Sequence, residues 1–218
     1  MKKIAIFMPI KINSERVKNK SIKNLFGRPL LNWSLESLDS LGHDIFIYTS
    51  SVEAVRDSID FEYKNIKILP RSEELDQNST LGIEIYESFA GQVDAESYLL
   101  VHCTSPFVHA ETYREIIKIG LSGEYDSASS CHEIKSFCFY DGNKVNFEQR
   151  VKTQDLKPVV VENSAFYFFT KETLLSKSRS GERHMLYNLK KIESIDLDYD
   201  EDFEFLERIN SIKRGVIE

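Results

Sequence analysis

Short apolar runs that do not alternate with polar residues set the strongest limit on how this chain folds. They occupy residues 4–10, 44–48, 66–69 and 98–101 and are rich in β-branched and aromatic side chains. A strand that is apolar at every position has both faces covered, as strands inside a parallel sheet do. Segments of helical period lie between them. Pro29 opens one that carries Leu31, Leu35, Leu38 and Leu41 on one side. Others are expected over 52–59, over 81–89 with Leu81, Ile85 and Phe89 in step, over 111–121, and over 201–213 with Phe203, Leu206, Ile209 and Ile212 on one face. Strand–helix alternation of this kind predicts an α/β fold, a mostly parallel sheet with helices on both faces.

The rhythm breaks between residues 127 and 169, where strand-like pieces surround a turn at Asp141-Gly142-Asn143. A β-rich excursion is expected at about 130–170, of the kind that covers a site or carries a dimer contact. No linker rich in Gly, Ser or Pro divides the 218 residues, so 1–218 is expected to form a single domain.

Net charge is −7, which argues against nucleic acid and anionic membranes as partners, since both require a broad basic surface. Cys103, Cys131 and Cys138 form no CxxC pair, so reduced thiols are expected rather than disulfides or a zinc knuckle. The Met-Lys-Lys opening precedes an apolar run too short for a leader, and no run reaches membrane-spanning length, so a cytoplasmic location is expected.

Against that acidic background, five cations crowd one loop after the first strand: Lys11, Arg16, Lys18, Lys20 and Lys23, with Ser14 and Ser21 among them. Ligands of open α/β sheets bind at the carboxyl ends of strands. Cations fixed there stabilise charge developing on phosphoryl oxygens. The loop reads either as a polyphosphate grip or as a solvated lysine-rich turn. It is neither a Walker loop nor a Gly-x-Gly-x-x-Gly fingerprint.

A second cluster runs Asp196-Leu197-Asp198-Tyr199-Asp200-Glu201-Asp202. In extended chain Asp196 and Asp198 project to one side and suit a hard ion such as Mg²⁺, which completes its shell with water and substrate phosphate. Asp200, Glu201 and Asp202 are expected to cap the last helix. A third stretch, Val101-His102-Cys103-Thr104-Ser105-Pro106, places polar groups at the end of a strand, where His102 either orients a substrate hydroxyl or serves as a structural hydrogen-bonding residue.

Together these blocks resemble the acylneuraminate cytidylyltransferase family, with the CMP-Kdo synthetases as relatives. Its opening Pro-Ala-Arg-x-x-Ser-x-Arg is similar to Pro9-Ile10-Lys11-Ile12-Asn13-Ser14-Glu15-Arg16, and its Lys-Asn and Gly-Lys-Pro-Leu to Lys20-Ser21 and Gly27-Arg28-Pro29-Leu30. Its Arg-Pro-x-Glu-Leu resembles Arg71-Ser72-Glu73-Glu74-Leu75, and its Gln-Pro-Thr-Ser-Pro resembles His102-Cys103-Thr104-Ser105-Pro106. Its Asn-Gly-Ala-Phe/Ile-Tyr resembles Asn163-Ser164-Ala165-Phe166-Tyr167, and its late Asp-Ile-Asp resembles Asp196-Leu197-Asp198. The blocks stand in family order across nearly the whole chain.

The resemblance implies a Rossmann-like nucleotidyltransferase fold, GT-A-like, and transfer of CMP from CTP to an acidic α-keto sugar with release of pyrophosphate. It implies catalytic roles for Lys11, Lys20 and Asp198, CTP binding by Lys11, Ser14, Arg16, Lys20, Ser21 and Arg71, and Mg²⁺ held by Asp196 and Asp198. It places His102, Thr104, Ser105, Lys152, Thr153 and Gln154 around the acceptor, and it implies a homodimer. Four positions depart from the pattern: Lys11 replaces arginine, Ser21 asparagine and His102 glutamine, while Thr153 stands where sialic acid enzymes carry a carboxylate-binding arginine. Those departures keep two alternatives open, a sugar phosphate or phosphonate acceptor, and a nucleotide-binding relative without turnover.

Overall fold

Strands that are apolar throughout lie at the middle of the sheet, because only there are both faces covered. The computed structural model describes residues 3–213; Met1 and Lys2, which begin the Met-Lys-Lys opening, and residues 214–218 lie outside it. The strands are β1 (Ile4–Ile10), β2 (Asn24–Leu25), β3 (Arg28–Pro29), β4 (Ile45–Thr49), β5 (Ile66–Pro70), β6 (Ser97–Val101), β7 (Ser127–Ile134), β8 (Phe139–Tyr140), β9 (Asn143–Lys144), β10 (Val159–Thr170) and β11 (His184–Asn188). The helices are α1 (Leu30–Asp39), α2 (Val52–Ser58), α3 (Gly82–Gln92), α4 (Ala110–Ser122), α5 (Lys171–Leu175) and α6 (Asp200–Lys213).

The main sheet has seven strands in the order β11-β7-β10-β6-β1-β4-β5. Strand β10 is antiparallel to both β6 and β7, and the remaining pairs are parallel. From β1 the chain builds outward through β4 and β5, then crosses back to lay β6 on the other side of β1. The crevice at the carboxyl ends of β1 and β6 is therefore the switch point at which open α/β sheets bind ligands.

Helices cover both faces, as expected. Leu31, Leu35 and Leu38 of α1, Val55 of α2 and Tyr113, Ile116 and Ile117 of α4 share one core with inward residues of β1 and β6. Tyr86 and Phe89 of α3 and Leu174 of α5 fill the opposite core, where the Phe89 ring stacks on Phe7 at 4.2 Å.

A third cluster has a different task. Val17, Leu25 and Leu30 from the N-terminal loop region close on Leu197, Phe203 and Leu206 from the far end of the chain. The loop is shaped by the β2–β3 hairpin, whose two turn residues, Phe26 and Gly27, both take positive φ, at 56° and 83°. Glycine adopts that conformation freely. Phe26 is held there while its N–H donates to the Glu207 carboxylate of α6.

Several boundaries move from their expected places. Pro29 stands one residue before α1 rather than in its first turn. Leu81 precedes α3 and is largely exposed, so only the later apolar positions of that helix face the core. In α6 Phe203 and Leu206 are buried but Ile209 and Ile212 are exposed, because only its first turns meet the N-terminal loop. Residues 127–134 and 159–170, assigned from sequence to the excursion, belong to the main sheet; what leaves the sheet is 135–158, with the small β8–β9 hairpin.

Candidate functional site

The apolar contact of Leu197 with the N-terminal loop determines which side chains meet. Leu197 is fully buried, and its N–H donates to the Thr104 carbonyl at 2.8 Å, which pins the segment beside the end of β6. With Leu197 turned inward, alternation along extended chain sends Asp196 and Asp198 the other way, into a cleft of about 490 Å³. Lys11, Ser14, Arg16, Lys20 and Ser21 line the same cleft from the loop after β1, and His102, Cys103 and Thr104 line it from the loop after β6.

Asp198 is the electrostatic centre. Its Oδ1 accepts from Lys20 Nζ at 2.8 Å and its Oδ2 from Arg16 Nη1 at 2.7 Å. Lys20 is oriented by a 3₁₀ turn over Lys20–Ile22, which Asn19 enters in the left-handed conformation with its carbonyl accepting from the N–H groups of Ile22 and Lys23. Asp202 Oδ2 accepts from the N–H groups of Asp198 and Tyr199, and Lys23 pairs with Asp200, so this end of the acidic run caps and braces the helix start as expected.

The two aspartates titrate in opposite directions. Burial pushes the Asp196 carboxyl up, and the neighbouring Asp198 charge adds to the shift. Burial opposes ionisation of Asp198 as well, but the hydrogen bonds and charges of Lys20 and Arg16 outweigh it and hold that carboxyl below its ordinary value. Burial pushes the His102 imidazole down. Its Nδ1 lies 2.7 Å from the Ser164 carbonyl, which only accepts, so Nδ1 carries the proton and Nε2 of the neutral ring has a free lone pair.

The donor set fits Mg²⁺ rather than a fully caged metal. Among the described residues no three His, Cys, Asp or Glu side chains cluster as ligands. Two carboxylates face one cleft, and Asp196 Oδ1 is buried without a hydrogen-bond partner. Mg²⁺ is commonly bound by one or two carboxylates, with water and substrate phosphate completing the octahedron.

Other expected site residues are placed elsewhere. Arg71 is buried outside the cleft wall, where its guanidinium pairs with Asp76 and donates to the Tyr48 carbonyl at 3.1 Å. Ser105 is buried behind Thr104, with a hydroxyl that lacks a partner. Lys152, Thr153 and Gln154 are exposed on the excursion and do not line the cleft. Conversely, Gln77, Asn78 and Thr80 line it from the segment before α3, and Asn78 Oδ1 accepts from Lys11 Nζ at 3.0 Å. Their sequence signal was only a polar, uncharged run without periodicity. Ser164 also lines the cleft, at φ 59°.

No helix among the described residues is long and apolar enough to cross a membrane. A family model described as Cytidylyltransferase matches residues 5–214. N-acylneuraminate cytidylyltransferase A of Danio rerio is 25% identical over 208 residues, covering 89% of this chain and 48% of that protein. N-acylneuraminate cytidylyltransferase of Streptococcus agalactiae is 27% identical over 218 residues, covering 93% and 52%. The chain thus spans about half the length of the curated relatives it matches. Among solved structures, 4-diphosphocytidyl-2C-methyl-D-erythritol synthase of Anaerococcus prevotii aligns with a TM-score of 0.67 at 13% identity, covering 96% of both chains. CMP:2-keto-3-deoxy-manno-octonic acid synthetase complexed with CTP aligns at 0.55 and 14% identity, covering 98% of this chain and 87% of that one. At such identities these two likenesses concern the fold. The family match over nearly the whole chain, on a sheet whose switch point carries a cationic loop facing paired aspartates, leads to one conclusion: this chain belongs to the cytidylyltransferase family.

Proposed function

We propose that this protein transfers CMP from CTP to an acidic α-keto sugar, a nonulosonic acid, and releases pyrophosphate. The observation that carries the reading is the meeting of Lys20, Arg16 and Asp198 in one cleft at the switch point of the sheet. The similarity to proteins named N-acylneuraminate cytidylyltransferases supports the acceptor class.

In this mechanism the anomeric hydroxyl attacks the α-phosphorus and gives up its proton to water, and the bond from that phosphorus to the β-phosphate oxygen breaks to release pyrophosphate. Lys11, Arg16 and Lys20 take the triphosphate oxygens, Ser14 and Ser21 donate hydroxyl hydrogen bonds, and Lys20 stabilises charge on the reacting phosphate. Asp196 and Asp198 are the residues that would hold Mg²⁺, whose contribution is charge neutralisation on the phosphates. As the triphosphate binds, Lys20 and Arg16 exchange the Asp198 carboxylate for phosphate oxygens. Neutral His102 offers Nε2 to a sugar hydroxyl, and Thr104 adds a second polar contact. The exposed Phe139 and Tyr140 of the β8–β9 hairpin support a homodimer contact on the excursion.

A nucleotide-by-acceptor screen read by mass spectrometry tests the proposal. CTP with a nonulosonic acid is expected to yield a monophosphate diester and pyrophosphate. A diphosphate-linked product would instead identify a phosphorylated acceptor, and no product from any pair would contradict transfer altogether.

A further inference from the structure

Ser164 lines the cleft at φ 59°, a left-handed conformation that a side chain rarely adopts. It lies where β10 loses its register against β7, between Glu162 and Tyr167. Glycine takes such a conformation freely, and the family pattern Asn-Gly-Ala has glycine where this chain has Ser164. Other residues stay there only where their surroundings impose it, and such outliers gather at ligand sites. The roles derived above leave the Ser164 hydroxyl without a task.

The direction of the hydrogen bonds behind it decides what that hydroxyl can do. The Tyr167 hydroxyl lies 2.8 Å from both Glu162 Oε1 and Ser164 Oγ, but it has one proton to give. The Glu162 carboxylate only accepts, and it is fixed by Arg179, whose Nη2 donates to Oε1 at 3.1 Å. A bond to an ionised acceptor is the stronger one, so Tyr167 donates to Glu162. Ser164 therefore donates to the Tyr167 oxygen, and its own oxygen keeps only lone pairs for anything else. His102, whose ring centroid is 6.0 Å from that of Tyr167, is ordered in the same sense. Its Nδ1 proton goes to the Ser164 carbonyl at 2.7 Å, so Nε2 of the neutral ring also accepts.

Ser164 and His102 thus bring to the cleft two uncharged groups that accept and do not donate. On the transfer reading Lys11, Arg16 and Lys20 serve the phosphates, which leaves this pair for the acceptor. Lone pairs favour a hydroxyl or N–H placed against them and disfavour an anionic oxygen, whose own lone pairs would face theirs. We propose that Ser164 is a specificity-determining residue, its Oγ accepting a hydrogen bond from one hydroxyl of the sugar while His102 Nε2 accepts from another. This inference rests on the transfer reading above. It narrows the acceptor to a polyhydroxylated acid that turns neutral hydroxyls, rather than its carboxylate, to this wall.

Calorimetric titrations on the full chain, with Mg²⁺ and α,β-methylene-CTP bound, test it. The probes are a panel of nonulosonic acids and analogues in which single hydroxyls are replaced by fluorine, which removes the donor with little change in size. For the acid that binds, wild type is expected to lose about 5-fold or more in affinity at each of two positions, as the loss of a hydrogen bond warrants. Glycine adopts φ 59° freely, so Ser164→Gly is expected to fold with an equal or higher Tm. This variant should bind the parent acid about 5-fold more weakly than wild type does. One of the two fluorine penalties should vanish in it, while the other, set by His102, persists. Both penalties persisting in Ser164→Gly at their wild-type factors would overturn the assignment, even if overall affinity falls. A wild type indifferent to fluorine at every position would overturn it as well. Either result spares the transfer reading, whereas analogue-loaded protein that binds no acid of the panel overturns both.

Discussion

Lys20 and Asp198 meet at 2.8 Å although 178 positions separate them, and the lysine side chain is only 12% exposed. Neither partner finds the other through a shared element. They meet because Val17, Leu25 and Leu30 close on Leu197, Phe203 and Leu206, and because extended chain turns Asp198 away from its buried neighbour Leu197. Apolar burial thus sets the position of the charges, and the ion pair refines it.

Leu197→Ala tests that order of causes. Truncating a fully buried leucine is expected to cost about 2–5 kcal/mol in chemical denaturation. A cost under about 1 kcal/mol would show that the cluster does not hold the two chain ends together.

Gly120→Ala tests the packing of α4 on the sheet. A Cβ at Gly120 would lie 2.4 Å from the Phe168 ring, deep in the core. Overpacking of this sort is expected to cost about 1–3 kcal/mol, read as a lower Tm in calorimetry. A neutral or raised Tm would contradict the close approach of helix and β10.

His102 predicts a pH dependence of stability. Burial lowers its folded pKa, so between the folded and unfolded values the unfolded chain binds more protons. Stability should therefore fall as pH drops through about 6.5, the unfolded value, and the loss should be complete below the folded one. His102→Gln should flatten this part of the curve in denaturation series from pH 8 to 5. A constant gap between wild type and variant across that range would contradict a buried neutral imidazole.

The central strands and the site's charged ends were legible in sequence, because β1 and residues 98–101 of β6 are apolar at every position and the cations and the aspartate pair each cluster within a short stretch. Strand β11 was not: its His184 and Asn188 are polar, and at the sheet edge it needs only partial burial. The place of β10 was hidden as well, since antiparallel insertion between β6 and β7 is a long-range choice that leaves no local pattern. Arg71 entered through the family resemblance alone, and its pairing with Asp76, five positions on, leaves no local pattern in the sequence.

Pyrophosphate release from CTP and Mg²⁺, with the acceptor identified by the screen, tests the central claim most directly when wild type is compared with Lys20→Ala and Asp198→Ala. On the proposed reading Lys20→Ala takes a cation from the phosphates and Asp198→Ala takes a carboxylate that would hold Mg²⁺, so each is expected to lower turnover by about 10²-fold or more. Near-wild-type turnover in both variants would contradict the assignment of this cleft as the place where the nucleotide reacts.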